Sequence, residues 1–312
     1  MTAKKFIDFI ITQKCTYRCE YCSQTKKLQT EYNEATNETI DNFLLFLNTI
    51  DKDFEITISG GEALLHKSFF KLISEIKSKG FKINLISNLS FNSEKYENII
   101  QTLQNSLNMF DFSMHLDEID NFEETLIKLE KIINYIQNNN KITVHIPIYK
   151  LNTEKERKIA AIKEICNKYN INYDFQHIRI LNSYIKYNEA EQKYFKNEKF
   201  EKSFAKICYA GFYSAIIYED GSVYRCYSSR YNKLNYLGNI NDKNFKLNNS
   251  PLVCTNKQCT CPKPKQYKQI TDKTNYIQAM TMSIYNLIFL PSLIFKNRKR
   301  VLEKIRQKIS YF

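Results

Sequence analysis

The chain has 312 residues, of which 43% are hydrophobic and 25% charged, and its formal net charge is +13. The length predicts one large unit with an appendage, and the hydrophobic fraction argues against a disordered chain. Nine cysteines, an odd number, and the lack of an opening secretory signal argue against a disulfide-stapled extracellular domain.

The first 180 residues alternate short β-rich runs with helical stretches. Strands are predicted at Phe6–Thr12, Phe54–Ser59, Lys82–Asn88, Met109–Leu116, Ile142–Tyr149 and Tyr173–Ile180. Helices are predicted near Ala35–Ile50, Lys67–Lys79, Ser93–Leu107, Phe122–Asn138 and Thr153–Tyr169. Strands separated by helices of this length indicate an α/β fold with parallel βαβ crossovers. Cofactor sites in such folds collect at the C-terminal ends of the strands.

Three cysteines follow the first predicted strand, in the run Cys-Thr-Tyr-Arg-Cys-Glu-Tyr-Cys that contains Cys15, Cys19 and Cys22. Three thiolates can hold a four-iron cluster and leave one iron without a protein ligand, whereas zinc sites and ordinary clusters take four protein ligands. No further Cys or His precedes His66. We interpret the set as deliberately unsaturated, with a zinc site as the alternative.

The cysteine run resembles the signature of the radical S-adenosylmethionine (SAM) enzyme superfamily, Cys-x3-Cys-x2-Cys with an aromatic residue before the last Cys, here Tyr21. The resemblance implies a partial (β/α)6 barrel and a catalytic [4Fe–4S] cluster on Cys15, Cys19 and Cys22, with SAM chelating the fourth iron. It further implies reductive cleavage of SAM to a 5′-deoxyadenosyl radical, which abstracts hydrogen from a substrate. An electron donor such as flavodoxin or ferredoxin would be a partner.

A second motif, Gly60-Gly61-Glu62, ends the second predicted strand. Adjacent glycines let backbone approach a ligand closely, although a plain strand-to-helix turn uses the same residues. In the radical SAM family a Gly-Gly-Glu motif at this strand binds the methionyl amino group of SAM. The resemblance therefore implies that Gly60, Gly61 and Glu62 bind the cofactor, with Ala63 in place of the usual Pro.

Later strand ends carry weaker resemblances. Asn88 stands where related enzymes often have Thr-Asn-Gly, with Leu89 replacing the Gly, and Ser113 resembles the family's ribose-contacting residue. The family's SAM-binding sequence on the fifth strand is not recognisable in Ile142–Tyr149. The candidates for substrate contacts or proton transfer are His115, His145, His177 and Arg179. For each histidine the alternative is a side chain satisfied by core partners.

Five more cysteines cluster towards the C-terminus: Cys208, Cys226, Cys254, Cys259 and Cys261. Cys208 precedes a predicted hairpin, whose strands Ser214–Tyr218 and Ser222–Tyr227 flank Glu-Asp-Gly, and Cys226 lies near the end of the second strand. The spacing resembles the Cys-x(9–15)-Gly-x4-Cys half motif of SPASM and twitch domains, which are extensions of radical SAM enzymes that bind auxiliary clusters. The resemblance implies one auxiliary [4Fe–4S] cluster held by four of the five cysteines, and a structural zinc is the alternative.

The predicted organisation has three parts: a radical SAM core over 1–200, a small Cys-rich twitch- or SPASM-like unit over 201–270, and a basic, amphipathic helical tail over 271–312. Within the tail, Tyr276–Phe295 is apolar but interrupted, and a basic run follows it. The pattern favours helices packed on the barrel over a membrane-spanning helix. Peripheral membrane contact through the tail is the alternative.

The motifs together predict a cytoplasmic radical SAM enzyme acting on a small molecule such as a carbohydrate. The small-molecule preference follows because the chain begins directly at its first strand, without room for a leader-peptide-binding domain. A peptide-modifying maturase is the alternative substrate class, and a non-enzymatic iron–sulfur or zinc protein is the alternative of another class. No compact aromatic-basic motif favours a nucleic-acid partner.

Overall fold

A computed structural model describes residues 4–22, 32–90, 106–136, 141–180, 183–195, 202–227, 235–256, 259 and 270–281. The first six strands are β1 Phe6–Thr12, β2 Glu55–Gly60, β3 Lys82–Ser87, β4 Met109–Ser113, β5 Ile142–Ile148 and β6 Asn172–His177. The helices between them are α1 Asn37–Phe46, α2 Phe69–Ser78, α3 Phe122–Tyr135 and α4 Thr153–Lys168.

The later part of the described chain is mainly short strands. Its elements are β7 Arg179–Ile180, β8 Ser183–Tyr184, α5 Glu189–Gln192, β9 Lys206–Cys208, β10 Ser214–Ile217, β11 Ser222–Tyr224, β12 Tyr236–Asn239, β13 Leu252–Val253 and β14 Ile270–Thr274. A small sheet has the order β13-β9-β14, and β7 pairs with β8.

The main sheet has nine strands in the order β12-β11-β10-β1-β2-β3-β4-β5-β6. Strands β1 to β6 are all parallel, as the βαβ pattern predicts. The sheet is open, because within the described ranges its edge strands β12 and β6 do not pair with each other. This architecture agrees with the predicted partial (β/α)6 barrel.

Alternation along the strands gives the sheet two different faces. In β1, Ile7 and Phe9 are buried in the core, while Asp8 between them points to the opposite face. The apolar side chains of β2 to β5 continue the first face and join the same core as the helices. Thr57 lies opposite Asp8, and Asn84 lies opposite Thr57. The same face continues on β4 and β5 with Asp111, Ser113 and His145, where Ser113 lies opposite His145.

Most predicted boundaries hold within a few residues, and the differences have local causes. Helix α1 ends at Phe46, because the next three residues tighten into a 3-10 turn. Strand β4 stops at Ser113, since the chain turns where the His115 carbonyl accepts a hydrogen bond from Glu118 N. The last predicted strand divides into β6 and β7. The helix predicted near Ser93–Leu107 lies outside the described residues apart from its last two positions.

The predicted hairpin is present, with β10 and β11 antiparallel around Glu219–Gly221. Gly221 has φ +78°, a left-handed conformation that favours glycine in a tight turn. The parallel pairing of β10 with β1, in which Phe6 lies opposite Ser214, was not predicted. This pairing attaches the Cys-rich extension to the first strand of the core sheet.

The predicted helical tail is described only in part. Residues 276–281 are helical, and Asn275 Oδ1 accepts a hydrogen bond from Gln278 N at the helix start. The rest of the tail, from 282 to 312, lies outside the described residues, as does Cys261. No described helix has both the length and the apolar character needed to cross a bilayer.

Replacing Phe43 in α1 tests the core assignment. The ring is fully buried with its centroid 4.4 Å from that of Phe9, so Phe43→Ala should lower the free energy of unfolding by about 3–5 kcal/mol. Leu45 on the same helix is 63% exposed, and Leu45→Ala should change it by no more than about 0.5 kcal/mol. Urea unfolding of the metal-free protein, followed by circular dichroism, measures both. Equal losses would contradict the assignment.

Candidate functional site

The segment Cys15–Cys22, here called the cysteine loop, leaves β1 and lies against the C-terminal ends of neighbouring strands. Arg18 N donates a 2.8 Å hydrogen bond to Glu118 Oε2 in the turn after β4. Beyond β5, Lys150 Nζ pairs with Glu20 at 2.7 Å. The loop thus occupies the end of the sheet where parallel α/β folds bind cofactors.

Backbone contact between two loops sets the start of the cysteine loop. Gly61 N donates to Thr12 O and Glu62 N donates to Lys14 O, both at 2.8 Å. A Cβ at Gly60 would lie 2.5 Å from Thr12 O, and one at Gly61 would lie 2.7 Å from Gln13 O. Only glycine fits at both positions without moving backbone. In this chain the two glycines therefore bring the β2 loop against the segment that precedes Cys15.

Glu62 joins the same loop to the end of β3. Its buried carboxylate accepts hydrogen bonds from Leu64 N at 3.1 Å, from Ser87 Oγ at 3.0 Å and from Asn88 N at 2.8 Å. Burial raises the pKa of Glu62 to about 7, against the opposing effect of those hydrogen bonds. The ends of β2 and β3 are thereby held together beneath the cysteine loop.

Asn88 extends this link to the first cysteine, because its Nδ2 donates to Cys15 Sγ at 3.3 Å. The next residue, Leu89, has φ +62° and is buried. Left-handed backbone is uncommon for residues other than glycine. Leu89 occupies the position where the family motif has Gly, so this chain keeps a conformation suited to glycine despite the substitution.

His115 contacts the second cysteine. Its Nδ1 lies 2.9 Å from Tyr21 Oη and 3.5 Å from Cys19 Sγ, and its ring stacks on that of Tyr21. Burial lowers the pKa of His115 to about 4, with a small opposing effect from Asp117. The imidazole is therefore neutral at pH 7, and His115 holds the cysteine loop onto the end of β4.

The thiols of the cysteine loop fit an iron–sulfur cluster by their chemistry. Burial raises the pKa of both Cys15 and Cys19, and the negative charge of neighbouring groups, including Cys22, adds to the effect. Thiolates at these positions need a cationic centre to be stable. Among the described residues no three His, Cys, Asp or Glu side chains converge as ligands of one metal ion. In an iron–sulfur cluster, each of the three thiolates would bind a different iron.

His145, a second histidine candidate, lies on the polar face between two carboxylates. Its Nδ1 is 2.5 Å from Asp174 Oδ1 and its Nε2 is 3.5 Å from Asp111 Oδ1. Burial alone would lower the pKa of His145, but the attraction of Asp111 and Asp174 outweighs it and raises the pKa to about 9. His145 is therefore a cation at neutral pH with both nitrogens engaged. Ser113 is its in-register neighbour on β4.

The other two candidates are placed differently. His177 stacks on Phe195 with ring centroids 3.6 Å apart and meets Tyr184 and Tyr187 edge-on. Its surroundings are those of an aromatic cluster. The backbone of Arg179 belongs to β7, but its side chain lies outside the part of the structure that is described.

The second cysteine group comes together in space. Strand β13 pairs with β9, so that Leu252 lies opposite Cys208 and Cys254 follows closely. The buried thiols of Cys208 and Cys254 pack in one cluster, and Cys259 packs against it. Asn256 Nδ2 lies 3.9 Å from Cys226 Sγ. Cys226 is close enough to Cys208 and Cys254 for its negative charge to raise the pKa of both thiols. Four cysteines distant in sequence therefore share one neighbourhood.

Arg225, which the sequence analysis missed, lies inside this neighbourhood. Its side chain is buried and donates hydrogen bonds to three carbonyl oxygens, those of Ala210, Leu252 and Val253. Burial raises the pKa of Cys208 to about 12, and the Arg225 guanidinium acts in the opposite direction. The available signal was a charged residue directly after the strand Ser222–Tyr224 and directly before Cys226.

Two further contacts missed by the sequence analysis join the extension to β1. Gln13 Nε2 donates to Glu219 Oε1, and both residues are buried. Tyr227 Oη donates to Asp8 Oδ2 at 2.6 Å on the polar face of the sheet. Gln13 lies two residues before Cys15, so the hairpin tip contacts the segment that carries the first cysteine group. Such long-range contacts leave no local pattern in the sequence.

Sequence comparison relates the chain to known enzymes. Residues 9–162 match the family model described as the radical SAM superfamily. An S-adenosylmethionine-dependent nucleotide dehydratase of Selenomonas ruminantium is 30% identical over 82 residues, which cover 26% of this chain and 29% of the relative. A GTP 3′,8-cyclase of Helicobacter pylori is 32% identical over 107 residues, which cover 33% of this chain and 32% of the relative. The matches thus span less than a third of each of these curated relatives.

Solved structures share the fold. SuiB of Streptococcus suis bound to S-adenosylmethionine has a TM-score of 0.58 at 14% identity, with 78% of this chain and 64% of SuiB covered. The enzyme anSMEcpe with bound AdoMet has a TM-score of 0.59 at 14% identity, with 93% and 98% covered. At this identity the likeness concerns the fold alone.

Gly61→Ala should displace the backbone of residues 13–14, because its new Cβ would meet two carbonyl oxygens. After anaerobic reconstitution the variant should hold clearly less iron than wild type. Gly80→Ala is the control: it has open space but φ +83°, so it should lose about 1 kcal/mol of stability and keep its iron. The iron content of both variants is measured. A wild-type iron content in Gly61→Ala would contradict the prediction.

The raised pKa of Glu62 predicts a pH effect on stability. An acid with a folded-state pKa near 7 and an ordinary value of 4.5 favours the folded state most below pH 4.5 and loses that contribution as the pH rises through 7. The change is roughly 3 kcal/mol. Over this window wild type should lose stability relative to Glu62→Gln, which cannot ionise. Urea unfolding of metal-free protein between pH 4.5 and 8 measures the difference, and parallel curves would refute the prediction.

Proposed function

The chain belongs to the radical SAM superfamily of enzymes, and we propose that it cleaves SAM at a [4Fe–4S] cluster held by the thiolates of Cys15, Cys19 and Cys22. The observation that carries the proposal is the placement of these residues. The cysteine loop lies at the C-terminal end of the parallel strands, against the Gly60–Glu62 loop. The same arrangement leaves one iron of a cluster without a thiolate for SAM.

Each neighbouring residue has a definable part in this site. When bound, the cluster and SAM supply one-electron cleavage chemistry that generates a carbon radical. The Asn88 amide stabilises the thiolate of Cys15 through its hydrogen bond, and neutral His115 orients Tyr21 beside Cys19. The loop at Gly60–Glu62 is the candidate contact for the SAM amino group. Ser113 is the candidate ribose contact.

We propose that the substrate is a small polar molecule, such as a carbohydrate, bound over the polar face of the sheet. That face offers Asp111, Ser113 and the cation of His145, which suit hydroxyl or amino groups. The curated relatives are named for nucleotides, which are also small molecules. A peptide is the second candidate, because SuiB shares the fold and has been solved bound to precursor peptide SuiA.

We also propose an auxiliary [4Fe–4S] cluster in a twitch-like extension, held by Cys208, Cys226, Cys254 and Cys259. The sequence spacing left the last two ligands undecided. The packing of Cys259 against Cys208 and Cys254 favours this set within the described residues. A structural zinc on the same thiolates is the alternative. An external one-electron donor such as flavodoxin or ferredoxin would supply the reducing electron.

Iron counting combined with SAM turnover tests both clusters. Anaerobically reconstituted wild type should hold about eight irons and form 5′-deoxyadenosine when given SAM and dithionite. The Cys15→Ala/Cys19→Ala/Cys22→Ala variant should lose about four irons and all deoxyadenosine, whereas Cys208→Ala/Cys254→Ala should lose about four irons. Cys166→Ala is the matched control, because Cys166 is buried on α4 away from both groups and should change neither quantity.

Deoxyadenosine formation that survives the triple substitution would overturn the proposed activity. Zinc in place of iron at the second group would remove the auxiliary cluster but not the activity. Adding metabolite and peptide fractions separately distinguishes the two substrate classes. The fraction that contains the substrate is the one whose molecules donate hydrogen to the deoxyadenosyl radical.

A further inference from the structure

Arg225 is a buried charged residue that contacts several segments of the second cysteine group. It lies just before Cys226, with 4% of its surface exposed. Its guanidinium donates 2.7 Å, 3.2 Å and 3.1 Å hydrogen bonds to the carbonyl oxygens of Ala210, Leu252 and Val253. The first acceptor follows Cys208 by two residues and the last directly precedes Cys254. One side chain therefore contacts the segments that carry three cysteines.

Hydrogen bonds engage four of the five N–H groups of Arg225, but their neutral acceptors do not neutralise its charge. Its fourth bond, 3.4 Å from Nη1, goes to the neutral amide oxygen of Asn235. In the described ranges no Asp or Glu forms an ion pair with this guanidinium. Arginine stays protonated even when buried, and an isolated buried charge is strongly unfavourable. Stable burial of Arg225 is therefore favoured by a nearby anionic group.

The cysteine thiols can supply this anionic group. The guanidinium hydrogen-bonds to the carbonyl two residues after Cys208 and to the carbonyl directly before Cys254, and Arg225 is adjacent in sequence to Cys226. Four thiolates around a cluster give a net negative site, and that charge grows by one when the cluster gains an electron. A positive charge held nearby stabilises the more negative state.

We propose that Arg225 is the counter-charge of the auxiliary site and raises the reduction potential of the cluster held there. The proposal rests on the auxiliary cluster of the proposed function and assigns its tuning to a residue that binds no metal. The charge acts through space on the reduced state, whereas the hydrogen bonds position the ligand segments. These two effects of Arg225 are separable by substitution.

A protein with a single cluster gives the cleanest test. In the Cys15→Ala/Cys19→Ala/Cys22→Ala background only the auxiliary cluster remains, and it should hold about four irons. Arg225→Gln and Arg225→Lys are made in that background, together with Lys243→Gln, which removes an exposed lysine charge as a control. Iron is counted, and the midpoint potential is measured by a redox titration followed by electron paramagnetic resonance.

Removal of the buried charge should shift the midpoint of Arg225→Gln to more negative potential. Arg225→Lys keeps the positive charge but loses the guanidinium hydrogen bonds, and its midpoint potential should stay close to that of the background protein. The midpoint potential of Lys243→Gln should also stay close, because solvent screens exposed charges. An unchanged midpoint potential in Arg225→Gln, or an equal loss of iron from both Arg225 variants, would overturn the proposed charge effect. Neither result would contradict the proposed auxiliary cluster. A background protein without iron would instead overturn the auxiliary cluster, and the inference with it.

Discussion

The site depends on close backbone contact between the end of β1 and the end of β2. Gly61 N donates to the carbonyl of Thr12, and Glu62 N donates to that of Lys14. A side chain at Gly60 or Gly61 would push the two loops apart. Parallel pairing of the two strands brings their ends to one edge, but it does not by itself bring the loops into contact. The glycines allow that contact, and Glu62 links it to the end of β3 by hydrogen bonds from Ser87 and Asn88. Cysteine spacing alone would leave the thiols on an unsupported loop.

The first strand also receives the C-terminal extension. Strand β10 pairs with β1 on the side opposite β2, and Glu219 at its hairpin tip accepts a hydrogen bond from Gln13. Strand β1 therefore leads into the first cysteine group and pairs with the hairpin that precedes Cys226 of the second group. Residues separated by about two hundred positions in the chain are linked by a buried contact, so that the relative placement of the two groups follows from the pairing of β1.

The sequence predicted the features that local rules govern. Alternation along β1 and the helix before Gly80 needed only periodicity and a terminating glycine, and both strands of the hairpin followed from Glu-Asp-Gly. The charged partners were not predictable, because they join distant segments. Arg225 and the carboxylates around His145 become meaningful only when neighbouring strands bring them together. Motif resemblance predicted the cysteines as cluster ligands, but their hydrogen-bond partners, such as His115 at Cys19, required the fold.

We propose that the amino-terminal cluster has one iron free of protein ligands. Electron paramagnetic resonance of the dithionite-reduced protein, recorded before and after adding SAM, examines that iron. Variants lacking Cys208 and Cys254 remove the auxiliary signal and leave the spectrum of the first cluster alone. Binding of SAM to the open iron should change the g values of that spectrum, because the ligand set of the iron changes. A spectrum unaltered by saturating SAM would show that no iron of this cluster is open to SAM.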